Sequence, residues 1–440
     1  MPWTQAANPV NTNLWLGDCS QLDLFTITLP VQPGDSGFTP VSAYDTNNIH
    51  FMDGFEYPST YYTTDGSLWD GVGSPATNGS ISTDVRNTAL TAGHSLQIVS
   101  TSSAGVYYGH PTKPLSPTYQ YLRVYVKVVS ATNANGALRA YTICGWNDNT
   151  GFRSTAKIVF PAAGGTSALK FGVEHSVFSA EATGTVALTV GTWYRIELLT
   201  ERTSTGYTTT ANIYVGDTST VFDTISVSTS GVAMGGFPFI ACESGASGNA
   251  LTLRFDDLRV QTALDTIPTA AVNSPKFGPG GIWALYPNGV NTTEWTPLSG
   301  TNWSNVDEFP LATFDDDTSY ISDANTTSKT DIYDVGVTPN TLPNHMYIKA
   351  AMVRARYKNT AGTPSVRTVY QDGVGTNYLG SQDVAGGTYE SSSYSFLMYP
   401  TGLPTELVGV QGIGINHVAS AANTVRCTSS WGLIDVAQQA

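Results

Sequence analysis

The most constraining feature of this sequence is a strict two-residue alternation that recurs in short runs. In YLRVYVKVV, Leu122, Val124, Val126 and Val128 fall on one face and Tyr121, Arg123, Tyr125 and Lys127 on the other. That is the period of a half-buried strand. WYRIELLT repeats it, with Tyr194, Ile196 and Leu198 opposite Trp193, Arg195 and Glu197. The runs TANIYVGD, AKIVF, ALKFGV and LTLRFDDLRV follow the same pattern, with turn residues between them and no helical period. Composition agrees with this reading. Only 12% of the residues are charged, and Ser, Thr, Asn and Gly fill the polar positions that Lys, Glu and Ala would take in helices. Hydrophobic content of 41% supplies enough apolar surface for a folded chain. Antiparallel β sandwiches are therefore expected.

A chain of 440 residues has room for two or three domains. Residues 1–48 are rich in Pro, Asn and Thr and hold one apolar run, LDLFTITLPV, so an extended N-terminal arm is predicted there. Residues 49–263 form the first sandwich. A Pro- and Gly-containing stretch, DTIPTAAVNSPKFGPGG, closes it. New strand-like runs then begin: MYIKAAMVRARYK, SVRTVY, YSFLMYP, LVGVQGIGI and WGLIDV. They predict a second, smaller β domain over 264–440. No period of about 20 to 50 residues supports a solenoid or propeller.

Charge removes several function classes. The formal net charge is −14 with no basic patch, which argues against a nucleic-acid partner. No run approaches the ~20 apolar residues of a spanning helix, so membrane insertion is not expected. The first residues, MPWTQAANP, have neither a basic nor an apolar leader region, so no Sec signal is expected. Cysteines 19, 144, 242 and 427 have no metal-site or redox spacing and read as buried thiols of a protein made in a reducing compartment.

Three segments of the middle section resemble concanavalin A-like, laminin G-like jelly rolls: FMDGFE from Phe51, the hairpin GTWYRIELLTERTSTGYTTTANIYVGD and the closing LRFDDLRV. The segment from Ala284 to Val335 resembles a domain of virion structural proteins of tailed bacteriophages. It carries Pro-Asn-Gly, Glu-Trp-Thr, a Gly-Thr turn, Val-Asp-Glu followed by Pro, and an acidic run before Thr-Ser-Tyr, in that order. This resemblance implies a non-enzymatic structural protein located in the virion, as a head decoration or a minor tail component. Its implied partners are other capsid or tail proteins and further copies of itself, with the arm anchoring it by strand addition. A host-surface glycan is the alternative partner, held by the jelly-roll loops of an adhesin.

The residues that could carry chemistry each have a plainer reading. A glucanase-type jelly roll would present an E-x-D-x-E triplet. None exists, and Glu174, Glu181, Glu197, Glu201 and Glu243 are isolated in sequence. Asp256 and Asp257 are adjacent and are expected on opposite faces of their strand. They read either as acceptors of backbone hydrogen bonds near Asp53 or as oxygen ligands of calcium, the one cofactor considered. Asp315, Asp316 and Asp317 read as an exposed turn or, with Asp307 and Glu308 upstream, as a cation site. The EF-hand spacing is missing. Scattered histidines give no zinc motif, and neither a nucleophile elbow nor a phosphate loop occurs. Catalysis is not expected. Tyr61, Tyr62 and Trp69 in one turn-rich stretch, and Tyr107 and Tyr108 in another, read as a glycan-stacking platform or as packing and subunit-contact residues.

Overall fold

The structure is a computed structural model that describes residues 3–7, 13–17, 49–55, 71–73, 79–86, 94–100, 106–109, 119–133, 139–147, 152–160, 169–175, 180–202, 206–230, 236–242, 249–261, 280–308, 314–324, 326–335, 346–372, 375, 377–380, 382–392, 395–397, 410–418 and 423–438. It is an all-β protein. Among these residues the helical turns are two short 3-10 pieces, Trp303–Asn305 and Asp316–Thr318.

Two sheets come from residues 49–261. Sheet I is seven-stranded and runs Ala180–Ala187, Lys170–His175, Phe152–Phe160, Arg139–Asn147, Phe237–Cys242, Val106–Gly109, Gly71–Gly73. Sheet II is eight-stranded and runs Val221–Thr229, Tyr207–Val215, Trp193–Arg202, Tyr119–Asn133, Asn249–Gln261, Ser95–Ser100, Gly79–Ser82, with Ile49–Asp53 also paired to Asn249–Gln261. The chain crosses repeatedly between them, the mark of a jelly roll. Alternation explains the packing. Leu122, Val124, Val126, Ile196 and Leu198 of sheet II face Ile143, Ile158, Phe171 and Val173 of sheet I in one apolar core.

Residues 280–438 build a second sandwich. Sheet III, seven-stranded, is centred on Thr424–Gln438 paired with Met346–Ala361, and carries Gly280–Leu285, Thr296–Pro297, Ile321–Asp323, Glu390–Ser391 and Ser395–Leu397. Sheet IV, six-stranded, runs Pro287–Thr292, Lys329–Val335, Val410–Val418, Ser365–Asp372, Asn377–Leu379, with Asp383–Val384 also on Ser365–Asp372. Among the described residues no strand of sheets I and II pairs with one of sheets III and IV.

The two sandwiches nevertheless share a core. Ile282, Met352, Trp431 and Leu433 of the second belong to the same buried cluster as Met52 and Phe55 of the first. The opening FMDGFE explains this contact locally. A Cβ on Gly54 would sit 2.3 Å from the Ile282 carbonyl oxygen, so only glycine lets the two backbones approach. Phe55 takes a left-handed conformation, φ 56°, and is fully buried, while the Asp53 carboxylate accepts the Phe55 N–H at 2.7 Å.

One expectation is corrected here. Tyr119–Asn133 is not half-buried, because Tyr121, Arg123 and Tyr125 on its polar face are 2% exposed or less. Contacts from the second sandwich reach that face, as described below. Within the predicted arm, Trp3–Ala7 and Asn13–Gly17 pair antiparallel. Its apolar run LDLFTITLPV lies outside the described residues.

Candidate functional site

The predicted ligand aspartates of the jelly roll sit at the seam between the sandwiches. The strand Asn249–Gln261 breaks register against Tyr119–Asn133 between Asp256 and Arg259, and Asp257 there has φ 50°. This bulge defeats simple alternation, so Asp256 and Asp257 do not diverge as expected. Both reach Arg86. Asp256 Oδ2 accepts the Arg86 backbone N–H at 3.2 Å, and Asp257 Oδ2 accepts Arg86 Nε–H at 2.8 Å. Asp257 Oδ1 accepts the N–H of Ile282 at 2.5 Å, from the second sandwich rather than from the strand holding Asp53. The Arg86 guanidinium also donates to Asp217 Oδ1 at 2.5 Å and to the Gly280 carbonyl at 2.6 Å, and lies 3.9 Å from the Tyr125 ring centroid. Burial works against its charge, but Tyr125, Asp257, Asp217 and Asp256 together hold it above the ordinary arginine value. Burial pushes the Tyr125 hydroxyl up to about 12, so at neutral pH it is a donor, to Asp217 Oδ1 at 2.7 Å.

A second element of the seam is Asp435. It is fully buried, accepts from Arg123 Nη2 at 3.0 Å through Oδ1, and pairs through Oδ2 with Arg259 Nη1. Both arginines are themselves fully buried on the face of sheet II that the alternation marked as polar.

The acidic run docks on the second sandwich instead of projecting from it. Asp316, with φ 50°, pairs with Arg356 Nε at 2.7 Å. Asp317 takes Lys358 Nζ at 2.6 Å and Arg426 Nη1 at 2.8 Å. The Lys358 hydrogen bond, then Arg426, hold its carboxyl below the usual range. Asp315 Oδ1 accepts from the hydroxyls of Ser319 at 2.9 Å and Thr428 at 3.3 Å. Asp257 and Asp317 are thus met by cationic side chains, Asp256 by the Arg86 backbone N–H and Asp315 by hydroxyls. Among the described residues no three His, Cys, Asp or Glu side chains gather as a metal ion would require.

The signature from Ala284 to Val335 has an architectural explanation in Asp331. Fully buried, it accepts the backbone N–H groups of Glu294 (2.6 Å) and Trp295 (2.8 Å), the Asn302 amide (2.5 Å) and the Tyr333 hydroxyl (3.3 Å). Glu-Trp-Thr and the Gly-Thr-Asn turn are thereby fixed to Lys329–Val335 by one carboxylate.

The outer face of sheet I is the most site-like surface in the first sandwich. Glu174 stands directly opposite Glu181 on the neighbouring strand and opposite Thr155 on the other side. Lys157 forms an ion pair with Glu174. Direct cross-strand partners have Cβ atoms roughly 5 Å apart, so two carboxylates and one ammonium share a small patch. Thr142, Thr155, Val159 and Phe239 are buried nearby on strands of this sheet. Sequence reasoning missed this pair because it searched for carboxylates along one strand, and these meet across two. The legible signal was the short distance between KFGVEH and AEATGTVA, which a hairpin brings together.

Of the predicted aromatic platform, Tyr61, Tyr62 and Trp69 lie outside the described residues. Tyr107 and Tyr108 are in the sheet I strand Val106–Gly109, in register with Ala241 and Ile240. Cys144, Cys242 and Cys427 are free and buried, and burial pushes their thiols up, which fits inert core residues.

No protein-family model matches the sequence, and no curated protein matches it. Among solved structures, the catalytic domain of a glycoside hydrolase family 131 protein from Coprinopsis cinerea aligns over 52% of this chain and 98% of its own, with TM-score 0.34 and 10% identity. The CBM22-1-CBM22-2 tandem domain of Paenibacillus barcinonensis Xyn10C aligns over 90% of this chain and 100% of its own, with TM-score 0.24 and 10% identity. Likeness of this degree leaves function to be argued from the chain itself.

Proposed function

We propose that this chain is a non-enzymatic structural component of a tailed-phage particle, exposed on the head or tail exterior and held there by neighbouring virion proteins and by further copies of itself. The observation that supports it best is the seam. Arg123, Arg259 and Asp435, all fully buried, together with the shared apolar cluster, join two sandwiches into one stiff block. Two domains that worked by moving apart would not bury charge between them. A surface poor in Lys and Glu suits a protein that packs on neighbours, since Ser, Thr and Asn lose less rotamer entropy when covered. The phage-type signature is also accounted for as framework, through Asp331. A mass-spectrometric inventory of purified particles should contain the chain at a fixed ratio to the major shell or tail protein; its absence from particles sinks the reading.

The second reading, a glycan-binding adhesin, draws on the outer face of sheet I. Glu174 and Glu181, directly opposite each other on adjacent strands, offer acceptors of the kind that hold sugar hydroxyls, in the same sheet as the strand bearing Tyr107. A glycan array should be probed with the full chain, because cutting at residue 263 would bare Met52 and Phe55. Binding lost in Glu181→Gln supports this reading, and no binding at high valency removes it.

A further inference from the structure

Residues 301–308 and 314–320, the described parts of the excursion between the sheet III strands Thr296–Pro297 and Ile321–Asp323, dock on the strand Thr424–Gln438. Val306 accepts the Ser430 N–H through its carbonyl at 3.1 Å, and Thr428 donates to the Ser319 carbonyl at 3.0 Å. At the centre is one hydroxyl with too many acceptors. Ser319 Oγ meets Glu308 Oε1, Asp315 Oδ1 at 2.9 Å and the Asn305 carbonyl at 3.4 Å, yet it owns a single hydrogen. Glu308 Oε2 is buried with no hydrogen-bond partner among the described residues. If both carboxyls were ionised, the hydroxyl hydrogens of Ser319 and Thr428 would have to serve two anions as well as the Asn305 and Ser319 carbonyls, Glu308 Oε2 would be an unmet anionic oxygen, and among the described residues the nearby cations are engaged elsewhere. Arg356 is committed to Asp316, and Lys358 and Arg426 to Asp317.

We propose that this excursion is latched by a proton: Glu308 docks as the neutral acid, donates to Ser319 Oγ, and comes away from the strand when it ionises. The proton count then closes. Glu308 O–H donates to Ser319 Oγ, and Ser319 donates to Asp315 Oδ1, which also accepts from Thr428. Among the described residues, the charged groups that act on Glu308, Asp315 and Asp307, work in the same direction. Asp307 and Asp315 lie on its own excursion and Cys427 on the facing strand, and the next five residues, FPLAT, carry none. Burial, then the Ser319 and backbone hydrogen bonds acting the other way, then Asp315 and Asp307, leave Glu308 at about 7. Burial likewise raises Asp307, with Asp315 adding to it.

The sign of the pH dependence follows. The folded value lies above the ordinary 4.5, so the native state holds this proton when the unfolded state has lost it. The latch is complete below about 4.5, weakens as pH rises from there, and is lost through about 7. Opening uncovers Thr428, Ser429 and Ser430, which are fully buried in the latched form.

Hydrogen exchange of the full chain, corrected for intrinsic rates, tests this at about pH 5.5 and about pH 8. Protection of residues 301–308 and 314–320 is expected to fall about tenfold or more at the higher pH, while the jelly-roll strands stay unchanged. Glu308→Gln, which keeps a donor and never ionises, should hold its protection at both. A wild-type chain with pH-independent protection in this segment overturns the proposal, as does a Glu308→Gln chain with the wild-type loss. Should that variant fail to fold, carbon-13 titration of the wild-type glutamate carboxyls decides. One must titrate near 7, and ordinary values throughout overturn the latch.

Discussion

Asp331 shows how much of a fold can rest on one carboxylate. Its oxygens serve the adjacent backbone N–H groups of Glu294 and Trp295, the Asn302 amide and the phenol of Tyr333 on its own strand. Asp331→Ala should strand these donors in the interior and destabilise the chain by about 3–5 kcal/mol, since each buried donor left unmet costs about 1–3 kcal/mol. Urea denaturation should show a lower midpoint with an unchanged slope, and Asp331→Asn should fall between. At this scale the sequence was only partly readable. Alternation correctly assigned Leu122, Val124 and Ile196 to the core, because a period of two puts every second side chain of a strand on the face turned to the opposing sheet. It misplaced Asp256 and Asp257, because the residue that bulges, Asp257 at φ 50°, has no local signal such as a glycine to announce it. Asp435 gave no hint that its partners were two arginines far earlier in the chain.

Strands answer to different constraints. Val221–Thr229 and Ala180–Ala187 end sheets II and I at the same side of the jelly roll, where unpaired strand edges invite association. Asp223 clamps them. Its Oδ2 accepts the N–H groups of Thr185 at 2.9 Å and Val186 at 3.2 Å, tying one sheet's edge to the other. Gly184 makes room, since a Cβ there would lie 2.2 Å from Asp223 Oδ2. Gly184→Ala should displace the carboxylate and cost about 1–3 kcal/mol. Faster amide exchange confined to Thr185 and Val186 is the expected readout, and unaltered exchange there would show that the clamp is idle. The existence of these strands was legible in the alternation; their order was not. Register across a hairpin decides that Glu174 meets Glu181, and no count along either strand contains it.

For the molecule as a whole, the seam sets how it unfolds. Removing one partner of a buried charge group leaves the others uncompensated, so Asp435→Ala should cost about 3–5 kcal/mol. Calorimetry should show a single transition for the native chain and two for Asp435→Ala as the sandwiches uncouple. Replacing Arg123, Arg259 and Asp435 together by apolar residues should restore much of the loss. The union of the two sandwiches was not readable, because the shared cluster joins residues as distant as Met52 and Leu433. Synthesis gives this union a timetable. Asp435 follows Arg259 by 176 positions. At translation rates of about 5–20 residues per second, the first sandwich waits roughly 10–35 s for the residue that completes its outer layer. During that interval two arginines and an apolar patch are bare, so ribosome-bound chains are most exposed to chaperones, proteases and premature assembly before the last strand arrives.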